Sequence, residues 1–301
     1  MIKKESVLHT TQNVGLYYSI DGLKGYYNDL RGKVINTRNI DESGIPYNIA
    51  AFGEKKKTAY FPIAIFQYGL GAYDLWIESN EKKYFEMMLK MADWAVENQD
   101  KDGSWNTFGV LEYSNPYSSM AQGEGASLCA RAYVETNDTK YYKCCVDAIE
   151  FMLRDINDGG TTDYQDGKMI LLEYPEKAVV LNGWIFSGFG LLDCWKITKN
   201  EEVLKAWNKT IEQIENMLPE FDANIWSYYD CNGKYTSPFY HELHIALLKV
   251  CYDLTKSETM LKYANKWKEK KDSFIFSKMA FVIKAWQKVT EKRSCEWFFV
   301  E

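Results

Sequence analysis

Residues 72–99, AYDLWIESNEKKYFEMMLKMADWAVENQ, and residues 129–156, CARAYVETNDTKYYKCCVDAIEFMLRDI, superimpose without a gap, with Asn80 over Asn137 and Tyr84 over Tyr141. Residues 191–218 and 250–270 continue the pattern, with Asn200 and Ser257 at the same point. The intervals are 57, 63 and 57 residues, a period that marks a repeat architecture. Each unit reads as an apolar, Gly-bearing helix, a short turn and a more amphipathic helix. The Asn or Ser ahead of an acidic residue is an N-cap signal for that second helix. The first helices are apolar on most faces and belong inside; the second keep Lys and Glu on one side, as an outer, solvated layer does. Inner helices are expected near 63–76, 120–134, 180–195 and 241–254. Hairpins of this kind bury their cores by curving together, so the expected fold is all-α, an (α/α) toroid of αα-hairpin repeats. Residues 1–50, polar and Gly-rich, are expected to form an N-terminal arm, irregular or a β-hairpin, and residues 51–301 the toroid. Residues 273–301 read as a last helix followed by a frayed tail.

At 301 residues the chain can bury a substantial core. Its 22 tyrosines and 10 tryptophans serve either as packing between helices or as faces for flat apolar ligands such as sugars. A net charge of −6 offers no basic footprint for nucleic acid. The seven cysteines form no CxxC, which argues against a zinc ribbon or redox motif. Cys129, Cys144, Cys194 and Cys251 lie in apolar helical runs, as buried thiols do, and reduced thiols suit a cytoplasmic protein. Residues 1–6 lack the apolar core of a signal peptide, and the longest apolar stretch, 178–192, is too short to span a bilayer.

Four polar-aromatic islands interrupt the helical runs of the second half: residues 172–175 (LEYP), 180–183 (VLNG), 227–230 (SYYD) and 239–244 (FYHELH). Each sits at or just before a helical segment, where a helical scaffold presents side chains to a shared cleft. Tyrosine, glutamate and histidine together suggest proton transfer. His241 and His244, three apart on one helical face, read either as a carboxylate clamp or relay or as capping and packing residues. Their His-Glu-Leu-His spacing is not that of a zincin, and no metal is expected. Gln122 and Asn182 open inner helices and either bond sugar hydroxyls or cap. Glu124 is a pocket acid or a first-turn glutamate, and Arg131 a structural ion-pair partner or a substrate cation.

Taken in order, these islands resemble the catalytic domain of the D-glucuronyl C5-epimerases, which make L-iduronate in heparan-type polysaccharides. The matching pieces are Gly44-Ile45-Pro46, residues 60–71 (YFPIAIFQYGLG) and residues 116–125 (PYSSMAQGEG). They continue with Glu173-Tyr174-Pro175, residues 180–183, Tyr229-Asp230, and Tyr240-His241 with His244. The resemblance covers about residues 40–270 and implies an (α/α) toroid with catalytic Tyr174, Tyr229 and Tyr240 and with Glu173 beside the first. From the residues themselves, His241, His244, Gln122, Asn182, Glu124 and Asn232 are the candidates for substrate contacts. Where the family commonly has Arg two positions after the Tyr-Asp pair, this chain has Asn232, so a cation for the substrate carboxylate is missing from its usual place. Animal members carry long N-terminal β-rich domains, for which this chain has about 45 residues, so a shorter cleft or a different polymer is expected.

The implied reaction removes the C5 proton α to a uronate carboxylate and returns one to the opposite face, which needs two proton-transfer groups and neutralisation of the carboxylate. Tyr240 with either Glu173 or Tyr174 is the expected pair, with Tyr229 donating to the carboxylate. The expected partner is a glucuronate-containing polysaccharide or lipid-linked glycan, and no cofactor is needed; no strand-led G-x-G-x-x-G is present. A homodimer is left open. The alternatives are a uronyl hydrolase or polysaccharide lyase, for which Glu173 and Asp230 would serve as carboxylates, and a non-catalytic glycan-binding protein.

Overall fold

The computed structural model describes residues 10–290 and 298–300. Four αα-hairpins follow one another among the described residues. They are α2 (Pro62–Ser79) with α3 (Lys82–Asn98), α4 (Ser119–Thr136) with α5 (Thr139–Met152), α6 (Leu181–Thr198) with α7 (Glu201–Met217), and α8 (Pro238–Thr255) with α9 (Glu258–Asp272). A short α1 (Arg31–Asn36) precedes them and α10 (Phe274–Thr290) follows. The expected (α/α) toroid is the observed fold. Successive inner helices α2, α4, α6 and α8 pack on one another, while α3, α5, α7 and α9 form the outer layer. The inner helices are buried on nearly every face. The outer α3 buries only Met88, Met91, Ala92 and Ala95, a single stripe at helical spacing.

Each hairpin turn has the same two-residue chemistry. Asn80, Asn137, Lys199 and Lys256 end the inner helices in the left-handed conformation, with φ between 54° and 60°. The next residue opens the outer helix, and the Asp138, Asn200 and Ser257 side chains accept a backbone N–H there. Asn80 and Asn137 are therefore C-caps rather than the N-caps expected from the repeat. Asn200 is equivalent to Asp138, one residue off the sequence superposition.

The tightest crossing is α4 on α6. A Cβ on Gly190 would lie 2.4 Å from the Gly123 Cα, and one on Gly123 would lie 2.6 Å from the Ser187 Cα, so neither position accepts a side chain without moving a helix. At the C-terminal ends of the inner helices the ring is filled by the N-terminal arm. The Arg131 guanidinium of α4 pairs with Asp193 of α6 (Nη1–Oδ2 2.6 Å) and donates through Nε to the Gly25 carbonyl at 2.8 Å. It lies 5.0 and 5.5 Å from the Tyr26 and Tyr27 rings. Tyr27 donates its hydroxyl to Asp193 (2.6 Å), the Tyr26 N–H donates to Asp74 of α2 (3.0 Å), and Tyr18 reaches Asp253 of α8 (2.7 Å). The arm thus ties α2, α6 and α8 to α4 and closes that end of the ring.

Strands are few. β1 (Asn48–Phe52) and β2 (Lys55–Ala59) form an antiparallel hairpin, pairing Asn48 with Ala59 and Phe52 with Lys55. Two short pairs of residues, β3 (Thr162–Asp163) and β4 (Ile170–Leu171), lead into Glu173. Residues 298–300 add a further strand, β5, on β1. The end of the chain is therefore not wholly the frayed tail expected from sequence; it returns to the rim of the ring. No helix among the described residues is long and apolar enough to cross a membrane. Cys129, Cys144, Cys145, Cys194, Cys231 and Cys251 are unbridged.

Removing one partner of a buried ion pair leaves the other charge uncompensated in a dry site. Arg131→Met should therefore lower the free energy of unfolding by about 3–5 kcal/mol in urea titrations. A loss below about 1 kcal/mol would show that this pair does not hold the ring together.

Candidate active site

The inner helices run parallel, so their N-terminal ends gather at the end of the ring away from the arm's plug. A cavity of about 170 Å³ opens there. It is lined by Ile63, Ala64 and Gln67 of α2, Met120 of α4, Asn182 and Phe186 of α6, and Tyr240 and Leu243 of α8. Glu173, Tyr174, Lys33, Gln12 and Phe299 are also on its wall. An adjoining cavity of about 310 Å³ shares Tyr174 and Phe299 and adds Phe108, Tyr113, Lys177, Tyr229, Asp230 and Lys234. A larger cavity, about 420 Å³, lies at the opposite end beside Tyr73, Trp76 and Glu135. The smaller pair holds the converging titratable groups, and chemistry is assigned there.

Backbone ties set the acid and the tyrosines. Leu172 accepts from the Ser119 N–H at the start of α4 (3.0 Å) and donates to the Thr161 carbonyl (2.9 Å), which fixes Glu173 one residue later. Gly183 gives Glu173 its room, since a Cβ there would lie 2.2 Å from Glu173 Oε2. Tyr229 is held against the entry of α6 by the Cys231 N–H donating to Val179 (3.1 Å). Tyr240 lies in the first turn of α8, behind the Ser237 cap. Its ring meets Tyr229 edge-on at 4.8 Å, and Tyr174 stacks on Phe108 at 4.7 Å.

Burial dominates the electrostatics. Glu173, 6% exposed, has its carboxyl pushed up to about 7 by desolvation, with the Tyr174 hydroxyl pulling partly the other way. Tyr174, Tyr229 and Tyr240 are all raised above 10, first by burial and then by the negative charge of Glu173. Beside Tyr240, the Tyr229 hydroxyl acts in the opposite direction and favours the phenolate. Glu173 Oε2 and Asn182 Oδ1 are buried acceptors with no hydrogen-bond donor among the described residues.

Several residues singled out from sequence lie elsewhere. His241 stacks on Trp226 at 3.6 Å, donates from Nε2 to the Trp267 carbonyl (3.0 Å) and accepts at Nδ1 from the Ser227 hydroxyl (2.7 Å). His244 packs near Trp267, and burial lowers both imidazoles to about 3, so both are neutral. Neither lines the cavity, and neither is a carboxylate clamp. Gln122 spends its amide on the loop before α4 and on α5, donating to the Gly103 and Ala148 carbonyls and accepting from the Trp105 N–H. Glu124 is buried behind Gln67, whose amide it accepts at 2.9 Å. Asn232 is exposed on the turn after Tyr229 and lines neither cavity. Arg131 belongs to the plug. Sequence reasoning missed Lys33, Gln67 and Phe299; only Gln67 lay in a quoted motif. Among the described residues no group of three or more His, Cys, Asp or Glu is arranged to hold a metal ion.

The sequence profile of the D-glucuronyl C5-epimerase C-terminus matches residues 99–269, more than half of the chain. The chain belongs to the D-glucuronyl C5-epimerase C-terminal family. The D-glucuronyl C5-epimerase of Caenorhabditis elegans is 28% identical over 220 residues, 64% of this chain and 36% of that protein. This chain thus spans about a third of that relative's length. An uncharacterised protein of Methanocaldococcus jannaschii is 28% identical over 209 residues, 62% of this chain and 68% of its own length. Among solved structures, a family 76 glycoside hydrolase (mannosidase) of Bacteroides thetaiotaomicron has a TM-score of 0.45 at 15% identity, covering 68% of this chain and 57% of its own. An unsaturated glucuronyl hydrolase of Bacillus sp. GL1 has a TM-score of 0.46 at 14% identity, covering 72% and 61%. The epimerase-family match includes Glu173, Tyr174, Tyr229 and Tyr240 and stops short of the arm that carries Lys33.

An acid whose folded pKa is raised favours the protonated form, so its contribution to stability is greatest below its ordinary 4.5 and is lost as pH rises through about 7. Glu173→Gln should remove that loss, making the variant more stable than the parent by about 3 kcal/mol at pH 8 relative to pH 4. Parallel stability–pH curves for parent and variant in urea titrations would place Glu173 in a solvated, ordinary environment.

Proposed function

We propose that this chain is a carbohydrate epimerase that inverts C5 of a D-glucuronate residue to L-iduronate within a polysaccharide or lipid-linked glycan. The observation that carries the reading is the convergence of Glu173, Tyr174 and Tyr240 on one small, largely apolar cavity, in a chain of this family.

The chemistry follows from these groups. Glu173 as carboxylate takes the C5 proton, and the electron pair left behind delocalises into the uronate carboxylate to give an enediolate. A base with a pKa near 7 is half ionised at neutral pH and strong enough to act, which suits it better than a carboxylate at 4. Tyr240, from the first turn of α8, gives its hydroxyl proton to the opposite face of C5. The Tyr229 hydroxyl beside it eases formation of the phenolate. Tyr174, at the junction of the two cavities, donates to the carboxylate as charge develops. Substrate and product have the same oxidation state, so no hydride leaves or enters. The adjoining cavity, with Phe108 and Tyr113 as apolar faces and Lys177 and Lys234 at its edge, is available to the next sugar along the chain.

The direct test is incubation with unsulfated glucuronate polymers in deuterated water. Deuterium should appear at C5, with glucuronate and iduronate both present at the end. A 4,5-unsaturated product absorbing in the ultraviolet would identify a lyase. New reducing ends with unlabelled C5 would identify a hydrolase, and an unchanged polymer across the panel would contradict catalysis. Tyr240→Phe should fold normally and exchange about 10²-fold more slowly. The parent's kcat/KM should rise with pH to a plateau with a midpoint near 7 as Glu173 ionises; a profile flat from pH 5 to 8 would remove Glu173 as the base.

A further inference from the structure

Of the fourteen large apolar side chains exposed among the described residues, seven lie on α10, a helix of 17 residues. Phe274, Ile275, Val282, Trp286 and Val289 are each 65–81% exposed. We propose that α10 is an interfacial helix, which lays this apolar face on an anionic lipid surface and holds the protein there.

Geometry is the first argument. At about 3.6 residues per turn, Ile275, Met279, Val282, Trp286 and Val289 recur on one stripe, and Phe274 and Phe281 widen it to nearly half of the circumference. The opposite face is already engaged. Ala280 is buried with Ala223 and Trp226, and Gln287 accepts the Tyr235 N–H (3.0 Å) and donates to the Gly233 carbonyl (3.2 Å). One face therefore fixes α10 to the protein, and the other is presented outward. A contiguous apolar face of this size marks a site of contact with another body. No helix among the described residues is long and apolar enough to cross a membrane. A helix about 25 Å long with one apolar face lies along a lipid surface rather than through it.

Charge selects the occupant. α10 contains three lysines and no Asp or Glu, within a chain of net charge −6. The Lys278 Nζ lies 5.5 Å from the Phe274 ring centroid, which places an ammonium at the edge of the apolar face. A second copy docked through the same face would set two such helices together with no acid on either to pair them. A helix pair also closes over a narrow seam, which would leave Phe274 and Phe281 outside it. Anionic headgroups supply the countercharge, and Trp and Phe side chains seat at headgroup level. Position gives attachment a use. Gln287 holds the turn that follows Tyr229, and Asp230 and Lys234 of that turn line the adjoining cavity. Docking α10 brings this turn within about one helix diameter, ~10 Å, of the lipid, where a glycan on a lipid anchor presents its sugars.

The test is co-sedimentation with vesicles of phosphatidylcholine alone and of phosphatidylcholine mixed with phosphatidylglycerol. The proteins are the parent, the double variant Val282→Ser with Trp286→Ser, and Lys278→Glu. Circular dichroism establishes that each is folded, and Ile275→Ser with Val289→Ser replaces the first pair if it does not fold. The parent should bind the anionic vesicles about tenfold or more tightly than the neutral ones, and less tightly as salt rises. The double variant should bind them about tenfold or more weakly than the parent, and Lys278→Glu several-fold more weakly. A parent left in the supernatant with both vesicles, or a double variant that binds as the parent does, overturns the proposal. A parent dimer in sedimentation velocity that the double variant dissolves, without vesicle binding, also overturns it and gives the face to a second copy. The vesicle readout does not need the reaction, so absence of C5 labelling overturns epimerisation alone.

Discussion

The buried pair of Arg131 and Asp193 is the constraint on which the rest of the ring depends. A guanidinium cannot remain in that interior without compensating oxygens. Asp193 and the Gly25 carbonyl provide them, and the Tyr26 and Tyr27 rings cover its faces. The arm is thereby drawn into one end of the ring. The same pair joins α4 to α6, which the Gly123–Gly190 contact brings to backbone distance. With one end plugged and the central helices this close, the space left at the other end is small and poorly solvated.

Those two properties set the chemistry. A carboxyl in a small, poorly solvated cavity holds its proton to higher pH, and tyrosines beside it hold theirs longer still. Glu173 therefore falls into the range useful for a base, while Tyr174 and Tyr240 stay protonated as donors. Helix direction contributes as well. Head-to-tail hairpins orient all four inner helices alike, so their N-terminal ends meet at the cavity and favour an anionic ligand. Fold and reactivity are linked through desolvation.

The repeat was legible because inner and outer helices differ in how many faces they bury, and periodicity records that directly. Glu173, Tyr174, Asn182 and Tyr240 were legible because they interrupt apolar runs at helix starts, which in this fold lie at one rim. The one-residue slip of Asn200 against Asn137 was not. Asn serves equally well as a left-handed C-cap and as an N-cap, so its identity does not reveal which side of the turn it occupies. His241 and His244 misled for a related reason: a histidine between tryptophans and one between substrate groups have the same sequence signature. Lys33 and Phe299 were invisible because they reach the cavity from the two ends of the chain, through an arm and a strand that carry no helical period.

The central claim is geometric: one uronate ring fits between a carboxylate on one face and a tyrosine on the other. A crystal structure of the Tyr240→Phe variant with a glucuronate-containing oligosaccharide tests it most directly. The account predicts C5 between the Glu173 carboxylate and the phenyl ring that the substitution introduces, with the sugar carboxylate toward Tyr174. A sugar seated instead in the cavity beside Tyr73 and Glu135, or one with both groups on the same face of its ring, would contradict it.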